Sequence, residues 1–371
     1  MKTAIIMPAY KPDEKMITFL DSLLEAGMKD IIIINDGSGE PFEPIFAQAA
    51  AHPEVTLLIH EVNKGKGAGL KTAFKYLSEN RADIDGAITC DADGQHNLNS
   101  IQTCLAAFEK EPDSVIIGGR DFKNVDMPFH NLLGNRISSV VYRFAIGIKL
   151  KDTQTGLRVI PAKWFELLSD IKGDRYEYET SMFIAMMNNN IPYREVPIET
   201  IYIDDNASSH FNVLKDSFKI YKIVLGYFFK FVLTSLSSWV IDIGIYYLTG
   251  MILDKCFATF AADSWQLIVY SVSWRVTVCT LTSRVISSIF NFLMNRKTVF
   301  KSADNVGQTA VRYYILAVCQ LMASLLLVDL FADKILGVSG VLQTVVKCVV
   351  DFLLFILSYT VQRKWVFKNK K

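Results

Sequence analysis

Four apolar segments, at about Gly226–Leu253, Leu267–Met294, Val311–Phe331 and Val338–Val361, limit what this chain can fold into more than any other feature. Each approaches or exceeds the roughly 20 residues that a helix needs to cross a bilayer. The second is the weakest, because it contains Arg275, Arg284 and many Ser and Thr, and it is expected to face helices rather than lipid. Lys and Arg cluster before the first segment, after the second (Arg296, Lys297, Lys301) and after the fourth (Arg363, Lys364, Lys368, Lys370, Lys371). The positive-inside rule puts all three places in the cytosol, and an even number of spans returns the C-terminus to that side.

The repeat Asn295-Arg296-Lys297-Thr298-Val299-Phe300-Lys301 and Gln362-Arg363-Lys364-Trp365-Val366-Phe367-Lys368 follows the second helix of each pair. Two helical hairpins of like orientation, related by an axis along the membrane normal, are therefore expected. Asp242, Arg275, Arg284, Lys347 and Asp351 fall within the spans, where ionisable groups are costly and are paired or functional. Lys347 and Asp351 are placed to pair on one helix, and Asp242 to pair with an arginine of the second span. Such pairs fit a fixed helix register, a homo-oligomer interface or the handling of a lipid phosphate.

Averages over the 371 residues hide this half, with a net charge of +1 and a mean hydropathy of +0.24. The near-neutral charge gives no sign of a nucleic-acid partner. Cys90, Cys104, Cys256, Cys279, Cys319 and Cys348 form no CxxC pair, which argues against a zinc site or a disulfide framework. The apolar run after Met1 is too short for a signal peptide and reads as a first strand, with the N-terminal domain in the cytosol.

Up to about Phe211 the pattern changes to short apolar runs between polar loops. Strands are expected at Ala4–Met7, Ile31–Ile34, Val55–Ile59, Ile84–Cys90 and Ser114–Ile117, with helices over Met16–Ala26 and from about Leu70. Alternating strands and helices imply βαβ units and a mostly parallel, Rossmann-like sheet. In such a sheet ligands sit beyond the carboxyl ends of the strands. Pro8-Ala9-Tyr10, Asp36 and the pair Asp91 and Asp93 all stand at predicted strand ends, so one crevice should collect them. Two nearby carboxylates suit Mg²⁺ or Mn²⁺, although an Asp-Gly turn in solvent has the same composition. Lys64 and Lys66 are placed to neutralise phosphates, with Gly65 and Gly67 allowing close backbone approach. The loop is not GxxxxGK[ST] and no GxGxxG follows the first strand, so neither a P-loop nor a dinucleotide fingerprint is present.

In order, Pro8-Ala9-Tyr10, Asn35-Asp36-Gly37-Ser38, Asn63-Lys64-Gly65-Lys66-Gly67 and Asp91-Ala92-Asp93-Gly94-Gln95-His96 resemble the family 2 glycosyltransferases with a GT-A fold. Gly119-Arg120, Asp152-Thr153-Gln154-Thr155-Gly156-Leu157-Arg158, Tyr176-Glu177-Tyr178-Glu179 and Glu195-Val196-Pro197-Ile198 narrow the resemblance to the polyprenyl-phosphate branch, which includes dolichol-phosphate mannose synthase-like and bactoprenol glucosyltransferase enzymes. The membrane half resembles the GtrA-like four-span proteins, which are thought to move or present polyprenyl-linked sugars. The implied architecture is a GT-A catalytic domain over 1–211, a juxtamembrane amphipathic helix over 212–230 and an all-α four-helix transmembrane domain over 231–371.

The resemblance implies a metal-dependent, inverting transfer of a sugar from a nucleotide diphosphate to polyprenyl phosphate, with UDP-glucose the favoured donor and GDP-mannose or UDP-GlcNAc the alternatives. The product would serve a surface polysaccharide or wall polymer. Pro8, Ala9, Tyr10, Asp36, Lys66 and Asp91 would bind the donor nucleotide, and Asp93, Gln95 and Asp91 the metal. Asp93, Arg120, Arg136 and Glu179 would act in catalysis, and Arg120, Arg136, Ser139 and Arg158 would meet the acceptor phosphate. A lipid monophosphate has a second pKa of about 6, so it arrives as a nucleophile and needs positioning and charge control rather than a strong base. Basic amphipathic stretches at Met127–Ile148 and Asn212–Lys230 would hold the enzyme at the membrane surface, plasma membrane in a bacterium. A processive polysaccharide synthase is disfavoured, because no QxxRW motif is present. The remaining rival is a non-catalytic carrier of sugar lipids.

Overall fold

The computed structural model describes residues 1–94, 96–120, 129–199, 213–267, 270–300, 302, 304–337 and 341–367, in two units, Met1–Leu225 and Gly226–Lys371. Gln95, Lys301, Lys368, Lys370, Lys371 and the stretch around 211–212 lie outside the described residues.

The five predicted strands are present as β1 (Thr3–Ala9), β2 (Ile31–Asp36), β3 (Val55–His60), β4 (Gly86–Thr89) and β5 (Val115–Arg120). Side chains alternate between the two faces of a strand, and here both faces are buried: Ile6, Ile32 and Ile34 enter one core, Ile5, Ile31 and Ile33 the other. That is why these strands read as unbroken apolar runs. α1 (Glu14–Glu25) starts at Asp13, whose carboxylate accepts the Lys15 N–H at 3.0 Å. It stops before Gly27, which takes the left-handed φ of +82° that lets the chain leave a helix.

α1, α2 (Glu43–Ala50) and α4 (Leu98–Lys110) cover one face through Met16, Leu20, Phe46, Ile101 and Phe108. α3 (Lys66–Asn80), α5 (Phe129–Ala145), α6 (Phe165–Ser169) and α7 (Glu177–Asn188) cover the other through Leu70, Phe74, Tyr142, Phe165 and Met182. Burying one such side chain contributes about 1.5–3 kcal/mol, so the sheet is held mainly from its two faces. α3 begins four residues earlier than the apolar periodicity indicates, at Lys66 rather than Leu70, because Lys66 and Gly67 have no apolar side chain to mark the turn.

Two further strands join the sheet, β6 (Arg158–Pro161) and β7 (Tyr193–Ile198), giving the order β3-β2-β1-β4-β6-β5-β7. β6 runs antiparallel to β4 and β5 while the other pairings are parallel. Because β6 is reversed, its first residue, Arg158, lies opposite Thr89 at the edge where β4 ends. Four residues are too few to show a period, which explains why β6 escapes sequence reading.

A single helix, α8 (Val213–Cys256), covers 213–230 of the amphipathic stretch and the first apolar span. Val224 is fully buried in the first unit's core, while Phe218 is exposed. α5 also divides its faces: Ser138, Tyr142 and Ala145 are buried, and Arg136, Ile137 and Val140 are exposed.

Four helical stretches among the described residues are long and apolar enough to cross a membrane: Phe218–Cys256, Trp274–Val299, Val306–Ala332 and Val341–Val366. Their regular helical parts after α8 are α10 (Trp274–Met294), α11 (Val306–Val328) and α12 (Val341–Val361), with the short α9 (Ala258–Ala262) preceding α10. The second span is shorter than its apolar run. β8 (Ser264–Leu267) and β9 (Tyr270–Ser273) form an antiparallel hairpin before it. The alternation in Tyr270-Ser271-Val272-Ser273 has the period of a strand, which a hydropathy average cannot distinguish from a helix.

The internal repeat has a structural counterpart. α10 and α12 both close in a π-helical turn, over Asn295–Val299 and Gln362–Val366. Asn295 Nδ2 donates to Gln362 Oε1 at 3.4 Å, and the Phe300 and Phe367 rings stack with centroids 5.1 Å apart and an interplanar angle of 15°. Counting back from Asn295 and Gln362, Arg284 and Asp351 occupy matching positions, and each meets a polar partner. Arg284 Nη1 lies 3.6 Å from Asp242 Oδ2, which fulfils the expected pairing with the second span. Asp351 pairs with Lys347 at 2.7 Å and accepts from Ser324 Oγ at 2.5 Å. Arg275 instead reaches Asp254, near the end of α8, by two hydrogen bonds of 2.7 and 2.9 Å.

Candidate active site

A cleft of about 690 Å³ opens in the first unit where β1, β2 and β4 end. Pro8, Ala9 and Tyr10 come from the end of β1, Asp36 from β2, and Asp91, Ala92 and Asp93 from the loop after β4. Asn63 and Gly65 come from the loop before α3, Lys66 from its first position, and Arg175 and Tyr176 from the loop before α7. Three strand ends thus meet at one edge because the strands are parallel and in register.

Asp36 is 2 % exposed and its carboxylate is fully engaged. Oδ1 accepts the Lys64 N–H at 2.9 Å and lies 2.7 Å from His60 Nδ1, while Oδ2 accepts the Gly65 N–H at 2.8 Å. His60 Nε2 in turn meets Thr72 Oγ1 at 2.9 Å. Asp36 therefore holds the loop that opens α3 as well as lining the cleft. Gly65 adopts a φ of +103°, which favours glycine at this turn.

A row of alternating charges runs from the cleft into the core. Lys66 Nζ is 2.6 Å from Asp91 Oδ1 and 2.8 Å from Glu179 Oε1. Glu179 Oε2 is 3.5 Å from Arg158 Nη2, and at the other end His96 Nε2 is 3.7 Å from Asp91 Oδ2. Burial works against the charge on Lys66, but Asp91 and Glu179 outweigh it and hold its pKa above the ordinary lysine value. Burial likewise opposes the charge on Asp91, and Lys66 and His96 more than offset that, so its carboxyl stays well below the usual carboxylate range. Asp91 is ionised and already oriented. Gly156, in the loop before β6, lies against this pair: a Cβ there would come 2.7 Å from Asp91 Oδ2 and 3.0 Å from Lys66 Nζ. Thr89 Oγ1 donates to the Gly156 carbonyl at 2.7 Å and holds that loop on the end of β4.

Arg158 is 1 % exposed. It donates to the Thr155 carbonyl at 2.9 Å and lies 4.4 Å over the Phe183 ring, with Nε unpaired. On the strand it shares a face with Ile160, which directs it beneath α7 and not into the cleft. Arg120 is gripped by the fully buried Asp152, at 2.6 Å from Nε and 3.1 Å from Nη2. Asn135 and Ser139 of α5 both donate to the Lys151 carbonyl, at 2.9 and 3.0 Å, and Glu195 accepts the Asp152 N–H at 2.9 Å. Arg120, Arg136, Ser139 and Arg158 therefore do not line the cleft, whereas Pro8, Ala9, Tyr10, Asp36, Lys66, Asp91 and Asp93 do. His60 and Gly156 were not legible as site residues; the only signal for Gly156 was its place in the Asp152–Arg158 motif.

A divalent cation is tested by the donors present. Among the described residues, no three His, Cys, Asp or Glu side chains gather as a metal cage. Mg²⁺ usually takes one or two carboxylates and completes its shell with substrate phosphates and water. Asp91 and Asp93, two hard oxygen donors on the wall of an open cleft, fit that mode.

Residues 4–168 match the family described as glycosyl transferase family 2, and residues 230–367 match the GtrA/DPMS transmembrane domain. The chain is 28 % identical over 227 residues to an uncharacterized protein of Methanocaldococcus jannaschii, covering 60 % of this chain and 90 % of that one. It is 29 % identical over 236 residues to the UDP-N-acetylglucosamine–dolichyl-phosphate N-acetylglucosaminyltransferase of Methanococcus voltae, covering 58 % and 92 %. A dolichyl-phosphate beta-glucosyltransferase of Trichomonas vaginalis is 23 % identical over 248 residues, covering 60 % and 71 %.

Proposed function

From the matches to glycosyl transferase family 2 over residues 4–168 and to the GtrA/DPMS transmembrane domain over residues 230–367, we propose that this chain is a family 2 glycosyltransferase that transfers a sugar from a nucleotide diphosphate to a polyprenyl phosphate. The observation that carries the reading is the cleft at the carboxyl ends of β1, β2 and β4, with Asp91 held ionised beside Asp93. Pro8, Ala9, Tyr10 and Asp36 frame the nucleoside, and Asp91 and Asp93 face the diphosphate. Mg²⁺ or Mn²⁺ held by Asp91 and Asp93 would offset the charge that builds on the leaving nucleotide. The lipid phosphate, largely dianionic at neutral pH with a second pKa of about 6, attacks the anomeric carbon and inverts it. The protein positions the two anions and tempers their repulsion. Arg136, exposed on α5, is the candidate cation for the acceptor, and Arg120 acts from its bidentate pair with Asp152.

UDP-glucose is the favoured donor, supported by the glucosyltransferase relative and the GtrA-like half. UDP-GlcNAc is the second reading, supported by the relative named for that donor at 29 % identity. The basic clusters flanking the spans support a cytosolic N-terminal unit and C-terminus. The membrane half anchors the enzyme and presents or translocates the product.

Purified full-length protein with Mn²⁺ or Mg²⁺, a polyprenyl phosphate and a panel of labelled UDP and GDP sugars tests the reading. Transfer from one donor, abolished by a chelator and restored by the cation, is the expected result. No transfer from any donor would overturn the enzyme reading, and transfer unchanged in Asp93→Ala would overturn the metal assignment. Translocation is tested in proteoliposomes, where it fails if product sidedness is the same with and without the membrane half.

A further inference from the structure

We propose that Arg175 is the side chain that takes the donor's diphosphate, and that Lys66 serves instead as the fixed counter-ion of Asp91 and Glu179. The proposal rests on reading the cleft as a nucleotide-diphosphate site. Lys66 is the obvious phosphate ligand by sequence, standing in a glycine-rich loop at a helix start. Its ammonium, however, lies 2.6 Å from one carboxylate and 2.8 Å from another. Moving it onto a phosphate would strip two partly buried carboxylates of their shared cation, and removing one partner from such a group is costly.

Arg175 is differently placed. It lines the same cleft, its side chain is exposed, and it pairs with no carboxylate among the described residues. Its backbone is nevertheless fixed over the start of α3. The Ala68 N–H donates to the Asp174 carbonyl at 2.9 Å, and the Tyr178 N–H donates to the Arg175 carbonyl at 3.1 Å. The stem of Arg175 lies on Gly65, where a Cβ would come 2.6 Å from Arg175 Cγ. The stem is thus located while the guanidinium is uncommitted, and its planar fork can bond two phosphate oxygens at once. Gly65 then has two reasons to be glycine, its left-handed φ and the arginine packed on it.

The test is equilibrium binding of UDP and GDP, and of uridine and guanosine as competitors, to the full-length protein in detergent with Mg²⁺. Arg175→Met is expected to weaken the nucleoside diphosphate that binds by about tenfold to a hundredfold. It should leave the matching nucleoside and the melting temperature unchanged, and Arg175→Lys should fall between. Wild-type affinity for the diphosphate in Arg175→Met, or an equal loss for diphosphate and nucleoside, overturns the proposal and leaves the cleft reading standing. Binding of neither diphosphate to the wild-type protein overturns the cleft reading, and this proposal with it.

Discussion

The two units handle charge in opposite ways. In the first, Asp91, Lys66, Glu179 and Arg158 form a continuous row of alternating sign that begins on the cleft wall and ends beneath α7. In the second, the ionisable groups meet in separate pairs, Asp242 with Arg284 and Lys347 with Asp351, each helped by a serine hydroxyl. The chemistry of the side chains is the same, and the surroundings differ. A cleft open to water lets a charged row be retuned by a charged ligand. A bilayer interior gives little relief to an unpaired charge, so neutral local pairs are the stable solution. The contrast also separates roles: the row is suited to binding and catalysis, the pairs to fixing which helices lie together.

The largest effect should come from breaking the row at its cleft end. Asp91→Asn leaves Lys66 with one carboxylate and removes a hard oxygen donor, and sugar transfer should fall by about a thousandfold. A loss below tenfold would mean that the row is structural only. Gly156→Ala tests position instead of charge, since the new Cβ would crowd both Asp91 Oδ2 and Lys66 Nζ. Transfer should drop about ten- to a hundredfold with little change in melting temperature. Equal losses of activity and stability would show that the loop, and not the ion pair, is what the glycine protects.

The membrane pairs should respond more weakly. Asp242→Leu removes the acceptor of Ser287 and the partner of Arg284, and should cost about 1 kcal/mol in reversible unfolding in bicelles. Arg284→Met should cost less, because that side chain is 74 % exposed and its contact with Asp242 is long. The reverse order would assign Arg284 a buried partner that these contacts do not contain. The smallest effect is a labelling contrast. Cys90 and Cys104 are buried, and burial pushes the Cys104 thiol up to about 12, so both should resist alkylation until the first unit unfolds. Cys319 and Cys348 are exposed on the bare chain, yet they fall inside spans. In membranes they should react only after detergent is added, whereas Cys256, where α8 ends, should react at once.

Much of this organisation is legible in the sequence alone. Unbroken runs such as Ile31–Ile34 require a strand covered on both faces, and Asp91 and Asp93 directly after such a run place two carboxylates at a sheet edge. Four apolar segments of spanning length imply four membrane helices, and the repeat around Asn295 and Gln362 implies a duplicated hairpin. These readings rest on period, length and order, which belong to the chain itself. The partner of each charge is different, because it depends on residues far apart in the chain.

Lys66 reads by sequence as a phosphate ligand, and only the fold sets its ammonium between Asp91 and Glu179, the latter brought beside it by α7. Arg158 by sequence alone is a candidate ligand of the acceptor, whereas the reversal of β6 and the parity of that strand turn it into the core. The apolar run at Leu267 joined the second span in composition, and only the β8–β9 pairing separates them. Local sequence dictates what each segment prefers, since backbone geometry and hydrophobic burial repeat over a few residues. Which carboxylate holds which cation is a matter of a few ångströms between distant segments, and only the packed sheet and helices bring those segments together.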